Sequence, residues 1–360
     1  MTSLYVDRRG VELRMDGGAI AFYENDERIG TVPVAPLERI FLRGDVLLHS
    51  GLLGRLGENG VGVVVLSGRK GIPTMLLAKP HNDAARRVAQ YRLSQDGTFC
   101  LAIARSLVAG KMDGAERHLR DLSERKHAAK MTLQRNCETL KGLMSHIERQ
   151  ESLEALRGLE GRAAAVYFEG LAAFLPPHLG FVKRNRRPPR DPFNAVLSLG
   201  YTLLHADVVL AVYGAGLDPY IGFLHGLHFG RESLASDLIE PLRPYFDRFA
   251  VKLFTDGHLR AENFTVTSDG CFLGKAGRAR FYQLYEDAAE GFRKHATETI
   301  RDLIALLKEH DDRITTAETA ADDDETEDSG YDDGEPVEPG APDGKDGAGG
   351  GVKTAWRPLS

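Results

Sequence analysis

The hydrophobic spacing of this chain changes period once, near Lys79-Pro80, and that change limits the fold more than any other feature. Before it, SLYV, VELRM, AIAFYE, IGTVPV, ERIFL and VGVVVLS are short and rich in β-branched and aromatic residues. Turn signals RRG, DGG and NDE separate them, so they predict strands. One short helix is expected over His49 to Glu58. After the change, apolar residues recur at helical spacing, beginning with Val88, Tyr91, Leu93, Leu101, Ile103 and Leu107 in a helix expected from Asp83 to Leu107. Charged helices are expected over 111–150. A strongly apolar helix should open at Asp191-Pro192, because aspartate caps free amides and proline fits a first turn. The expected fold class is α+β: a small N-terminal β domain over residues 1–79, then a larger, all-helical domain over 80–313. One small hairpin, AENFTV and DGCFL around an Asp-Gly turn, interrupts the second domain.

The net charge of -6 hides an asymmetry. Residues 314–360 hold 13 acidic and 3 basic side chains, leaving 43 basic against 39 acidic in the rest. This acidic, Gly/Pro-rich tail, which contains Trp356, has too few apolar residues to offset its ordering entropy and is expected to be disordered. The mildly basic body suits a polyanionic partner only where its charges cluster. They cluster in FVKRNRRPPRDPFN, where Lys183, Arg184, Arg186, Arg187 and Arg190 crowd together beside Pro188 and Pro189. Guanidinium forks match phosphate oxygens, although a solubilising loop would read the same way. Three distant cysteines, Cys100, Cys137 and Cys271, show no CxxC spacing, which suits a reducing, cytoplasmic compartment. No apolar run approaches the roughly 20 residues of a spanning helix, and no secretory signal is visible, so no membrane is expected.

The chemistry concentrates in Phe223 to Glu240, FLHGLHFGRESLASDLIE. Asp237 and Glu240 are three apart and share one face if helical, with Cβ atoms roughly 5–6 Å apart. Two carboxylates about 4 Å apart repel by roughly 4 kcal/mol at an effective dielectric of 20. A hard divalent cation turns that cost into binding, and His225 could complete its shell. A solvated surface helix beside a structural histidine has the same spelling. Glu160 lies between Gly158 and Gly161; by itself it is a glutamate favoured near a helix N-terminus. Tyr167, seven residues on, falls on nearly the same face. Asn194 and Tyr201 are also seven apart and could face one cleft. Arg86 and Arg87 decorate the first helix.

Several segments, in this order and spacing, resemble a known family. They are GLEG at 158–161, RPPRDPFNAVLSLGY at 187–201, DPYIGFLH at 218–225, SLASDLIEPLRP at 233–244 and FTVTSDGCFLGKAGRARF at 264–281. Together they resemble the larger CRISPR spacer-acquisition protein, the CRISPR-associated endonuclease that acts as the adaptation integrase. The resemblance runs from about residue 3 to 310 and leaves out the tail. It implies an N-terminal β domain and a helical catalytic domain joined near residue 80. It also implies a homodimer, and two such dimers bridged by a dimer of the small ferredoxin-like adaptation partner into a heterohexamer.

The same resemblance implies that Glu160, His225, Asp237 and Glu240 are the catalytic residues and ligands of Mg²⁺ or Mn²⁺, with Glu240 either a ligand or just behind one. His228 is read as a bystander. The implied reaction is phosphoryl transfer, in which the 3′-hydroxyl of a captured DNA fragment attacks a phosphodiester at the CRISPR repeat. Water in its place gives nuclease action. Double-stranded, branched, 3′-ended DNA is expected along Arg86, Arg87, Lys183, Arg184, Arg186, Arg187 and Arg190, with Tyr167, Asn194 and Tyr201 at the substrate ends. Two other readings remain open: a catalytically idle DNA-binding scaffold, and a zinc hydrolase. Zinc sites usually draw on more His or Cys than this stretch offers.

Overall fold

The structure is a computed structural model that describes residues 3–67, 72–77, 84–185, 188–226 and 230–311. The expected boundary at Lys79-Pro80 and the acidic tail lie outside these residues, as do Arg186, Arg187 and His228. Strands come first: β1 (Ser3–Asp7), β2 (Val11–Asp16), β3 (Ala19–Glu24), β4 (Glu27–Pro33), β5 (Arg39–Arg43) and β6 (Val46–Leu48). Helix α1 (Ser50–Glu58) and strands β7 (Gly62–Ser67) and β8 (Ile72–Leu76) follow.

Two four-stranded sheets result, in the orders β1-β5-β7-β8 and β4-β3-β2-β6. In the first, β1, β5 and β7 run parallel and β8 closes antiparallel. In the second, β2, β3 and β4 form an antiparallel meander with β6 parallel to β2. Alternation along β5 and β7 explains how the sheets pack. Ile40, Leu42 and Val63 face a core shared with Val11, Leu13 and Ile20 of the second sheet and Leu52 and Leu56 of α1. Phe41, Val64 and Leu66 point the other way, into the helical core. Both faces of the first sheet are therefore buried, which is why its parallel strands are nearly continuous apolar runs.

The helices are α2 (Ala84–Leu93), α3 (Gly97–Arg125), α4 (Lys130–Met144), α5 (Leu153–Phe174), α6 (Pro192–Gly214), α7 (Ser233–Leu238) and α8 (Arg243–Thr255). A hairpin of β9 (Phe264–Thr267) and β10 (Gly270–Leu273) precedes the 36-residue helix α9 (Lys275–His310). Several expectations need correction. The helix expected across 83–107 is broken at Ser94–Asp96, where the Asp96 carboxylate accepts the Thr98 and Phe99 amides and starts α3 afresh. Glu160 does not sit at a helix start, because Ser152 caps α5 two turns earlier. The region after residue 80 is not all-helical, since it holds the hairpin. The β region keeps a core of its own and also lends Phe41, Val64 and Leu66 to the helical one.

Helix α6 is central. Asp191 caps it by accepting the Asn194 amide at 2.8 Å, and Pro192 occupies its first turn. Gly200 allows α8 close: a Cβ there would sit 1.8 Å from Phe246 Cζ. By length and composition α6 could cross a bilayer, contrary to the expectation that no run approaches that length. It is instead mostly buried and carries Asp207 at its heart. Arg39 of β5 pairs with Asp207 at 3.2 Å and Arg293 of α9 at 3.3 Å, and the Tyr285 hydroxyl donates to it at 3.0 Å. Arg293 also donates to Ser3 Oγ at 2.9 Å. These bonds tie the first sheet, α6 and α9 together.

Candidate active site

Three elements from distant parts of the chain meet at one ammonium group. Lys111, in the middle of α3, extends its Nζ between two carboxylates. It donates to Glu160 Oε1 of α5 and, at 2.6 Å, to Glu240 Oε2 in the turn after α7. Glu240 Oε1 accepts the Arg243 Nε–H at 2.9 Å. Burial alone would push the Glu240 carboxyl up, but the Arg243 guanidinium and the Lys111 ammonium outweigh it and hold it well below the usual carboxylate range.

The turn holding Glu240 has a local cause. Pro241 has no N–H and its ring collides with the carbonyl four residues back, so α7 cannot run through it. The helix ends at Leu238, and the Glu240 amide closes a tighter turn onto the Asp237 carbonyl at 3.1 Å. Asp237 and Glu240 thus do not form the expected pair on one helix face, because their carboxylates serve different partners.

Asp237 is fully buried, and its side chain is spent on one short segment. Oδ2 accepts the amides of Phe223 at 2.6 Å and Leu224 at 2.9 Å, and Oδ1 accepts the amide of His225 at 2.9 Å. The His225 ring contacts Oδ1 through Nδ1 at 2.6 Å. With Nδ1 donating to a carboxylate, the ring turns its Nε2 lone pair away from Asp237, the arrangement in which imidazoles bind metals. Gly222 makes room for this: a Cβ there would stand 2.7 Å from Asp237 Oδ2. The His225 ring lies near enough to Glu240 to act on its carboxylate electrostatically, after Arg243 and Lys111. Among the described residues no ready-made group of three or more His, Cys, Asp or Glu side chains could hold a metal as it stands. Glu160 and Glu240 converge, but on Lys111. The donor set still fits a hard divalent cation: two carboxylate oxygens already share one positive charge, with an imidazole alongside.

A cavity opens beside Lys111 and Glu160, walled by Tyr167, Arg184, Tyr201, Arg243 and Asp247. Hydrogen bonds and stacked guanidinium groups line its wall. The Tyr201 hydroxyl donates to Asp247 Oδ1 at 2.5 Å, and the Tyr167 hydroxyl meets His118 Nδ1 at 2.7 Å. Arg243 lies over the Tyr201 ring at 4.5 Å and Arg184 at 5.5 Å. Burial pushes the Asp247 carboxyl up to about 6, with the Tyr201 hydrogen bond and Arg243 pulling the other way. Burial and nearby arginines lower His118 to about 3.

The residues expected along DNA divide into four groups. Lys183 and Arg190 are exposed at the basic loop. Arg184 turns inward, donating to Asn194 Oδ1 at 2.8 Å and Ser198 Oγ at 3.3 Å, and joins the cavity wall. Asn194 is fully buried and braces the loop through the Lys183 carbonyl, the Asn185 amide and Asp191. It is the anchor of the basic loop and not a group that faces a ligand, which corrects its expected place at a substrate end. Tyr167 is likewise buried, with its hydroxyl bonded to His118. Arg86 reaches the Ala215 carbonyl at 3.1 Å, and both it and Arg87 are half-buried on α2.

Sequence reasoning missed Lys111, Arg243, Asp247 and Gln90. Gln90 is fully buried and clamps the approach to His225, donating to the carbonyls of Asp218 at 2.8 Å and Ile221 at 2.7 Å. The spacing of Glu240 and Arg243, three apart, was a readable signal for that ion pair. Nothing local pointed to Lys111, which meets its partners across 49 and 129 positions.

The chain matches the family model described as CRISPR associated protein Cas1 over residues 4–287. It is 40% identical over 289 residues to a CRISPR-associated endonuclease Cas1 of Thermodesulfovibrio yellowstonii, covering 79% of this chain and 91% of the relative. A second such protein, from Thermus thermophilus, is 34% identical over 286 residues, covering 79% and 83%. In fold, a Cas1 protein from Thermotoga maritima superposes with a TM-score of 0.75 at 24% identity, over 85% of this chain and 97% of the other. A casposase bound to integration product gives 0.76 at 20% identity, over 86% and 92%. The Cas6-RT-Cas1–Cas2 complex gives 0.72 at 24% identity, over 86% of this chain and 35% of the other.

Proposed function

The chain belongs to the Cas1 family of CRISPR associated proteins, and from that premise we propose that it is a metal-dependent DNA integrase and endonuclease. In this reading it inserts captured DNA fragments into a CRISPR array and cuts DNA when water replaces the fragment's 3′-hydroxyl. The observation that carries the reading is the convergence of Glu160 and Glu240 on a single cation position, beside an imidazole whose outer nitrogen is turned away from its carboxylate partner. Glu160, Glu240 and the His225 imidazole would hold the metal. Asp237, expected as a fourth, is assigned a different part: its oxygens are taken by three amides and the His225 ring, so it orients that ring.

Mg²⁺ or Mn²⁺ bound there would lower the pKa of the attacking hydroxyl and stabilise negative charge on the phosphate and the leaving oxygen. The chain's own residues do the rest. Arg184 and Arg243, held over the Tyr201 ring, present fixed positive charge to a phosphate in the cavity. The hydrophobic wall of Phe168, Ala163 and Ala164 limits water there. Lys183 and Arg190 hold the DNA backbone without reading its sequence. Strand transfer breaks one phosphodiester while forming another, so no covalent protein intermediate is needed. Cytoplasmic action as a homodimer belongs to the same proposal. So does bridging of two dimers by a small ferredoxin-like partner into a heterohexamer; the neighbouring Cas6-RT-Cas1–Cas2 complex supports a Cas partner in general.

The test uses branched DNA with Mn²⁺. Glu160→Gln and Asp237→Ala should bind DNA as the native chain does and fail in strand transfer. Full activity in Glu160→Gln would remove the metal-site reading. An idle scaffold predicts a native chain that binds DNA with no Mn²⁺-dependent cleavage.

A further inference from the structure

The chemistry assigned to Glu160 and Glu240 leaves Lys111 unexplained. It stands where their charges would hold a metal, its side chain is 16% exposed, and it borders the cavity that receives a phosphate. We propose that Lys111 is an internal counter-ion that holds the metal position when the metal is absent, and that metal entry displaces its ammonium onto a phosphate oxygen of the incoming DNA. This rests on the metal-site reading and adds to it a coupling between two ligands.

Glu160 and Glu240 come from separate elements and sit within hydrogen-bond reach of one nitrogen. Two like charges that close, one buried and one half-buried, are stable only with a cation between them, or the fold must part them. Arg243 serves only the other oxygen of Glu240, so it cannot neutralise Glu160 in the same contact. Lys111 does both. A divalent ion entering the same place would stand against the ammonium, and like charges at contact repel. One of them must leave.

Lysine suits departure. Its charge ends a flexible four-carbon stem, whereas Arg184 and Arg243 are stacked on Tyr201 and fixed. Lys111 lines the cavity together with those two arginines, so a swing about its side-chain bonds carries the ammonium from carboxylates into the space assigned to phosphate. There it would meet positive neighbours unless an anion were present. Displacement is therefore favourable only when metal and phosphate arrive together. Each ligand then strengthens the other by the same factor, because coupling between sites is reciprocal. The device would keep the metal-free protein folded and make metal binding weak until DNA is in place.

Mn²⁺ binding, read by the electron paramagnetic resonance signal of free Mn²⁺, tests this on the full chain, with and without a DNA duplex bearing a 3′ overhang. The native chain should bind Mn²⁺ weakly alone and about tenfold more tightly with DNA, within the usual range of coupling between sites. Lys111→Met should bind Mn²⁺ more tightly than the native chain without DNA and lose most of the gain on adding DNA. Its metal-free melting temperature should fall and be recovered by Mn²⁺, which keeps the test usable if the variant is marginal in stability. Lys111→Arg, which keeps the charge, should restore weak binding without DNA. Unchanged or weakened Mn²⁺ affinity in Lys111→Met, with the DNA effect intact, would overturn the proposal while leaving the metal site standing. Mn²⁺ affinity that Glu160→Gln does not reduce would overturn the metal site itself, and the counter-ion with it.

Discussion

Two clusters in this molecule are built from the same parts, buried or half-buried carboxylates neutralised by cations, and they differ in what those cations can do. At the junction of the first sheet with α6 and α9, Asp207 is held by Arg39, Arg293 and Tyr285. Burial pushes its carboxyl up, and the two guanidinium groups only partly offset that. Asp207 does not line the cavity beside Lys111, and its cations are rigid forks with other partners, Glu286 and Ser3 among them. At Glu160 and Glu240 the shared cation is a flexible lysine beside an open cavity. The first cluster is a fastener. The second can exchange its cation. Burial alone does not separate the two, since Asp207 and Glu240 are both buried. Access and the kind of cation do.

The largest expected contrast comes from breaking each cluster in turn. Glu160→Gln should cost DNA strand transfer on the order of 10³-fold or more, as losing a charge-stabilising group in such chemistry does, while melting temperature changes little. Asp207→Ala should do the reverse, lowering stability by about 3 kcal/mol because two half-buried arginines lose the carboxylate they share, although Arg293 keeps Glu286 and Arg39 keeps Glu38. Chemical denaturation paired with an activity assay reads both. Equal stability losses in the two variants would erase the distinction.

A smaller effect separates ligand from orienting group within the second cluster. Asp237→Asn keeps the shape but weakens the hold on His225, and should reduce Mn²⁺ affinity by about 10–100-fold, typical of removing the partner behind a metal-binding imidazole. Calorimetric titration measures it.

Asp247 gives a pH signature. Its folded carboxyl titrates at about 6, above an unfolded value of about 4, so between them the folded chain holds a proton that the unfolded chain has lost. The stability this gives is fully present below about pH 4 and disappears as pH rises through about 6. Asp247→Asn removes that loss. Its stability should climb more steeply with pH across this window, by up to about 1.4 kcal/mol per pH unit. Parallel curves for the two proteins would contradict the assignment.

The smallest effects belong to the exposed cations. Lys183→Ala and Arg190→Ala should each flatten the salt dependence of DNA binding by about 0.9 in the log–log slope and leave catalysis per bound DNA unchanged.

Much of the architecture was legible because it depends on neighbours in sequence. The strand-to-helix change, the Asp191-Pro192 start of α6 and the hairpin around Asp269-Gly270 follow from spacing and turn chemistry. The break before α3 depended on one capping side chain, Asp96, inside an otherwise helical pattern, so periodicity ran across it. The shared core was hidden for a different reason. Alternation in β5 shows that Phe41 and Ile40 face opposite ways but not that helices wait on one side. In the site, the residues that resemblance singled out, Glu160, His225, Asp237 and Glu240, do lie on elements that meet. Their division of labour was not legible, because it turns on which oxygen accepts which amide. Pro241 carried the one local hint, since a proline there ends α7 before Glu240. Asn194 looks like a surface polar group at helical spacing, yet burial makes it a strut. Lys111 sat in a run of charges that resembles any solvated helix face.

Diffraction from crystals of the protein grown with Mn²⁺, collected at the manganese edge, tests the metal position most directly. One anomalous peak is expected between the Glu160 and Glu240 carboxylates and within coordination distance of His225 Nε2, with Lys111 moved away from both. A peak bound by Asp237 in place of His225, or none near Glu160 at saturating Mn²⁺, would contradict it.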